Sequence, residues 1–155
     1  MQTVINVEQL SKSYGNLLAV DKLSLSVKRG TVYGLLGANG AGKSTTIECI
    51  LGTKNADSGT ISVLGCNPKK DRNSLFQNVG VQFQEGDYQP EIKVSELCEE
   101  TACLYEAPAD WKKLCEQFGI GNKIGNAVKS LSGGERQRLF IVLALIPNPE
   151  LVFLD

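Results

Sequence analysis

Residues 37–44 read GANGAGKS and satisfy the spacing G-x-x-x-x-G-K-S at every fixed position. Glycines at 37, 40 and 42 let the backbone turn tightly enough for several N–H groups to face one concavity. A helix beginning there adds partial positive charge. Such a loop belongs between a strand and a helix, and both flanks carry the right signal. The short apolar run 32-VYGLL-36 before it reads as a strand. After it, 43-KSTTIECILG-52 places Ile47, Ile50 and Leu51 on one helical face, with Gly52 as a stop. A chance glycine turn would need neither flank. The concavity fits a phosphate chain, with Gly37, Ala38, Asn39, Gly40, Ala41 and Gly42 forming its wall. Lys43 is spaced to reach the β- and γ-phosphates, Ser44 to offer its hydroxyl to Mg²⁺, and Thr45 and Thr46 to add donors at the helix start. The expected ligand is a nucleoside triphosphate with Mg²⁺.

The rest of the chain supplies an α/β frame. Strand-like, β-branched segments lie at 3–7 and 23–27, and further strands are expected at 60–65 and 79–83, the last ending in the loop 84-QEGDYQP-90. Residues 95–105 and 109–118 read as helices, with Ser95 and Asp110 as caps. A glycine- and asparagine-rich connection, 119-GIGNKIGN-126, precedes a helix from about 134 to 146 and a closing apolar run, 151-LVFLD-155. Strands dominate the first eighty-odd residues and helices the span 94–118, so a mixed sheet core with a helical insertion is expected.

Composition narrows the function classes. The 155 residues are 42% hydrophobic and 21% charged, which suits one soluble domain. Net charge is −1 and the basic residues are scattered, so nucleic acid is not the expected ligand. No stretch approaches the ~20 apolar residues of a bilayer span, and the opening MQTVINVEQL carries no secretory pattern, so the expectation is a cytosolic protein. Five cysteines without a CxxC pair, and no histidine at all, argue for reduced core thiols and against a zinc site.

A second helix start discriminates among triphosphate-binding proteins. In 131-LSGGERQ-137, Ser132 offers a hydroxyl and Gly133 and Gly134 offer unobstructed N–H groups at the mouth of the following helix. One nucleotide cannot easily occupy both starts of a single chain. Serine and two glycines alone would be an ordinary cap, but the full heptapeptide beside the phosphate loop resembles the signature of the ATP-binding cassette (ABC) family. The resemblance runs the whole chain. It implies a P-loop NTPase core with an N-terminal antiparallel β-subdomain and a helical insertion. These divide into 1–84 for the β-subdomain and loop core, 85–134 for the helical part through the signature, and 135–155 for the signature helix and Walker B strand.

The resemblance also implies roles. Two ATP-binding domains pair head to tail, each ATP lying between the loop of one copy and Ser132, Gly133 and Gly134 of the other. Tyr14, in 11-SKSYG-15, matches the aromatic that stacks on adenine, against the alternative of an ordinary strand-end tyrosine. Gln84 matches the glutamine that contacts Mg²⁺ or the attacking water and links the site to a membrane subunit. Gln82, two residues earlier on the same strand face, is the competing register. Asp155 matches the carboxylate delivered to the Mg²⁺ shell, which puts Ser44, Gln84 and Asp155 around the metal and Lys43 and Gln84 at the chemistry.

The family's general-base glutamate follows that aspartate, and a switch histidine follows later. The chain as given is therefore expected to be an incomplete domain and a poor ATPase, with turnover a property of the full-length parent. The strand that follows Walker B in the family lies between the Walker A and Walker B strands, so the centre of the sheet is expected to lack a partner. The wording of 33–68 leans toward ATP-binding subunits of bacterial multidrug, antibiotic or polysaccharide exporters, peripheral on the cytoplasmic face and docked on a membrane-spanning subunit. The alternatives are a soluble family ATPase acting on ribosomes or DNA, which would need basic or coiled-coil arms, and a binding-only fragment.

Overall fold

The computed structural model describes residues 2–82, 88–89 and 91–154, which form two compact units, Met1–Leu75 and Phe76–Asp155. In the first unit, strands β1 (Thr3–Tyr14) and β2 (Leu17–Lys28) form an antiparallel hairpin, and β3 (Ser58–Val63) pairs with the other edge of β1. Val7, Leu10 and Val63 are fully buried on this sheet. Both hairpin strands run longer than the β-branched segments at 3–7 and 23–27. The ladder shifts register between Val7 and Leu10, where Gln9 takes φ 52, and a bulge of this kind breaks the alternation that marks a strand in sequence. Pairing then continues through polar residues to Tyr14 opposite Leu17.

Helix α1 (Lys43–Ile50) follows the glycine loop, as its periodicity predicts, and buries Thr46, Cys49 and Ile50. Gly52, at φ 70, turns the chain just beyond it. A five-residue helix α2 (Arg72–Phe76), unannounced by any periodic pattern, runs to the boundary of the unit.

The run 32–36 is not a strand. Its residues carry no ladder, and Val32 and Leu36 are 103% and 93% exposed. Strand geometry is held by hydrogen bonds to a neighbour. None of the described strands lies alongside this segment.

In the second unit, β4 (Val79–Gln82) and β5 (Leu151–Leu154) pair in parallel, Val79 opposite Leu151 and Gln82 opposite Leu154. The closing apolar run is thus a strand, as expected. Helix α5 (Gly133–Leu145) lies hard against β4: a Cβ on Gly80 would sit 1.9 Å from the Ala144 carbonyl oxygen. Only a glycine admits that approach.

Helices α3 (Val94–Ala102) and α4 (Trp111–Gln117) join α5 in one apolar cluster that fully buries Val94, Cys98, Cys115, Val128, Leu139 and Val142. Asp110 caps α4 as predicted, its carboxylate accepting from the Lys112 and Lys113 N–H groups. Ser95 does not cap α3. Its N-cap is Lys93, whose N–H donates to the Glu96 side chain at 2.9 Å, so the start is tied by an acid inside the first turn that reaches back to the N-cap backbone and not by a serine hydroxyl.

All five cysteines are free thiols, but only Cys49, Cys98 and Cys115 are buried; Cys66 is half-buried and Cys103 exposed. Cys98 and Cys115 are both buried in the helical cluster. The neighbouring Cys115 thiol and the apolar surroundings push the Cys98 thiol up, which keeps it protonated. No helix among the described residues is long and apolar enough to cross a membrane.

Candidate functional site

The glycine loop is shaped by two left-handed residues. Gly40 has φ 81 and Gly42 φ 83, and Gly42 is also the N-cap of α1. A Cβ on Gly42 would meet the Ala19 carbonyl oxygen at 2.2 Å, so this position excludes any side chain twice over, by conformation and by the strand packed against it. The contact with β2 seats the loop on the hairpin.

Lys43 folds back over the loop. Its Nζ donates to the Gly37 and Ala38 carbonyls, each at 2.8 Å. The ammonium thus already occupies the mouth of the concavity, and no acidic side chain sits in the first turn of α1 to oppose an anion. Ser44, exposed at the second helical position, is the one described residue of the three expected around Mg²⁺; a hydroxyl there suits a hard, oxygen-seeking cation. Thr46 departs from expectation. It is 3% exposed, and both its N–H and its hydroxyl donate to the Gly42 carbonyl at 2.8 Å, so it closes the first turn and has no donor left for a phosphate.

Tyr14 ends β1 at the tip of the hairpin and is 42% exposed, with Lys12 and Lys54 ammonium groups beside its ring. Gln82 is buried in β4, whereas Gln84 and Asp155 lie outside the described residues.

The second helix start is in the other unit. Ser132 is the N-cap of α5: its hydroxyl accepts from Glu135 N–H at 3.3 Å, while the Glu135 carboxylate accepts from Ser132 N–H at 2.9 Å. Lys123 pairs with the same carboxylate at 3.3 Å, and Arg136 reaches back to the carbonyls of Lys129 and Leu131. The hydrogen bonds from Ser132, and then Lys123, hold the Glu135 carboxyl below its ordinary value. Ser132, Gly133 and Gly134 are all exposed, and a Cβ on either glycine would meet nothing within 4 Å. Glu135, Arg136 and Lys123 carry no role in the motif itself. The spacing Ser-x-x-Glu at 132–135 was the available signal for the first of them; the other two act from tertiary placement.

Comparison with known proteins identifies the family to which these motifs belong. The family model described as ABC transporter matches residues 20–155. The chain belongs to this family. It is 36% identical to the Nod factor export ATP-binding protein I of Ralstonia nicotianae over 98% of its own residues and 49% of that protein. Identity is 33% to the bacitracin transport ATP-binding protein BcrA of Bacillus licheniformis, over 100% of this chain and 51% of that one. A solved structure of the ATP-binding subunit of an ABC transporter superposes with a TM-score of 0.87 at 25% identity, covering 99% of this chain and 66% of that one. The chain thus spans about half the length of these curated relatives.

Proposed function

We propose that this chain binds ATP with Mg²⁺ as the nucleotide-binding part of an exporter whose membrane-crossing part is a separate subunit, and that it works from the cytoplasmic face. The observation that carries the reading is Lys43 held over a glycine loop that leads into a helix free of acidic residues in its first turn. The ammonium and the loop N–H groups bind and orient the β- and γ-phosphates, and Ser44 holds the metal. Mg²⁺ would neutralise charge between those phosphates. Tyr14 stacks on the base. Gln84 and Asp155 are assigned to the metal and the attacking water on their motifs.

In the whole protein, hydrolysis of ATP drives transport. The second helix start supports a head-to-tail dimer in which Ser132, Gly133 and Gly134 of one copy meet the nucleotide bound to the loop of the other. The relatives named for Nod factor export and bacitracin transport support export, with cargo chosen by the membrane subunit.

Lys43→Ala should abolish binding of a fluorescent ATP analogue; binding at the original affinity would overturn the loop's assignment. Ser132→Arg should leave nucleotide binding by the monomer intact and eliminate the ATP-dependent dimer seen by light scattering. A dimer that persists would remove the serine from the partner's site.

A further inference from the structure

We propose that Lys54 is a positioning residue of the nucleotide site: it ties the Tyr14 ring to helix α1, so that the surface for the base and the loop for the phosphates are set by one piece of structure. This rests on the reading of Tyr14 as the surface on which the base stacks.

Tyr14 has little packing to hold it. It is the last residue of β1, pairs only with Leu17 across a two-residue turn, and is 42% exposed. Two ammonium groups supply the restraint. Lys12 Nζ lies 5.3 Å and Lys54 Nζ 5.5 Å from the ring centroid, within the range where the negative face of an aromatic ring attracts a cation.

Each cation is anchored at its far side. Lys12 Nζ pairs with Asp57 Oδ1 at 2.9 Å, and the other oxygen of that carboxylate accepts from Ser13 N–H at 2.6 Å, beside the tyrosine in the chain. Lys54 Nζ pairs with Glu48 Oε2 at 2.7 Å, and Glu48 belongs to α1. The Glu48 carbonyl also accepts from the Thr53 and Lys54 N–H groups at 3.0 and 3.1 Å, so the backbone of Lys54 is fastened to the same helix as its side chain. The paired Glu48 carboxylate, and then the Tyr14 hydroxyl, raise the Lys54 pKa, in keeping with an ammonium held between the two. Lys54 therefore touches the expected base platform at one end and the helix that starts in the phosphate loop at the other.

The test compares two ligands of the full chain, ATP and inorganic triphosphate, each with Mg²⁺ and each measured by calorimetric titration. Inorganic triphosphate has no base and does not feel the platform. Lys54→Met should weaken ATP binding about two- to fivefold, the loss of one exposed cation–π contact, and leave triphosphate binding unchanged. Lys54→Arg should restore the ratio, and Glu48→Gln, which frees the anchored end, should reproduce the Met variant's shift. In a Tyr14→Ala background Lys54→Met should add nothing.

Equal weakening of both ligands by Lys54→Met would mean that the lysine only supports the fold, and would overturn the proposal. If Tyr14→Ala lowers the ATP-to-triphosphate ratio and Lys54→Met does not, the tether is wrong and the platform stands. If Tyr14→Ala leaves the ratio unchanged, the platform reading fails and takes the tether with it.

Discussion

Helix α1 begins at Gly42 in a left-handed conformation, with no side-chain cap, no acid in its first turn and the Lys43 ammonium folded over the loop before it. Helix α5 begins at Ser132 in an extended conformation, with a reciprocal Ser132–Glu135 box and a carboxylate in its first turn. Both starts look alike in sequence, small residues before a helix. Their chemistry differs because α5 spends the Ser132 and Glu135 N–H groups on its own caps, leaving those of Gly133 and Gly134 as outward donors beside a negative charge. A start that caps itself is stable by itself and a weak anion site by itself. The start at Gly42 is the reverse, held by packing against Ala19 and open toward a ligand. Under the proposed function the first start would bind nucleotide and the second would complete a site that already holds phosphate.

Matched glycine substitutions give the largest expected difference. Gly42→Ala forces a left-handed alanine and a Cβ at 2.2 Å from the Ala19 oxygen, and should cost about 2–5 kcal/mol in urea unfolding together with ATP binding. Gly133→Ala meets nothing within 4 Å and should stay within about 0.5 kcal/mol of the parent. Equal costs would erase the distinction between a start held by packing and one held by its cap. Ser132→Ala should come next, lowering stability by about 1 kcal/mol through loss of the cap, while ATP binding by the monomer is unchanged.

The smallest effect is in pH. Glu135 has its carboxyl depressed below 4.5, so its stabilising contribution is present above that ordinary value and disappears as pH falls through the depressed one. Urea midpoints followed into acid should show this loss in the parent and not in Glu135→Gln. A parallel slope in both proteins would mean that the box does not hold α5.

The legible parts of the fold were those written in local spacing. Helix α1, the Asp110 cap, the Ser132 start and the apolar strand β5 all follow from residues within a few positions of one another. The hairpin was only half legible, because the bulge at Gln9 hid the continuity of β1, and Tyr14 reaches its exposed tip only if that strand runs on. Lys54 was not legible at all: nothing near it in sequence links it to a tyrosine forty residues earlier. Thr46 was read as a phosphate donor from its position, and the structure turned its hydroxyl inward to Gly42.

The sequence by itself determined where the backbone must turn left-handed and where a helix must start beside a lysine, since glycine conformational freedom and helical period act over a few residues. Tertiary structure alone decided which segments have neighbours. The run 32–36 has the composition of a buried strand yet forms none, because a ladder takes two segments and its own residues supply only one. Gly80 reads as an ordinary strand residue until α5 presses the Ala144 carbonyl into the space a side chain would fill. Contacts of that kind join residues far apart in the chain, and no local pattern encodes them.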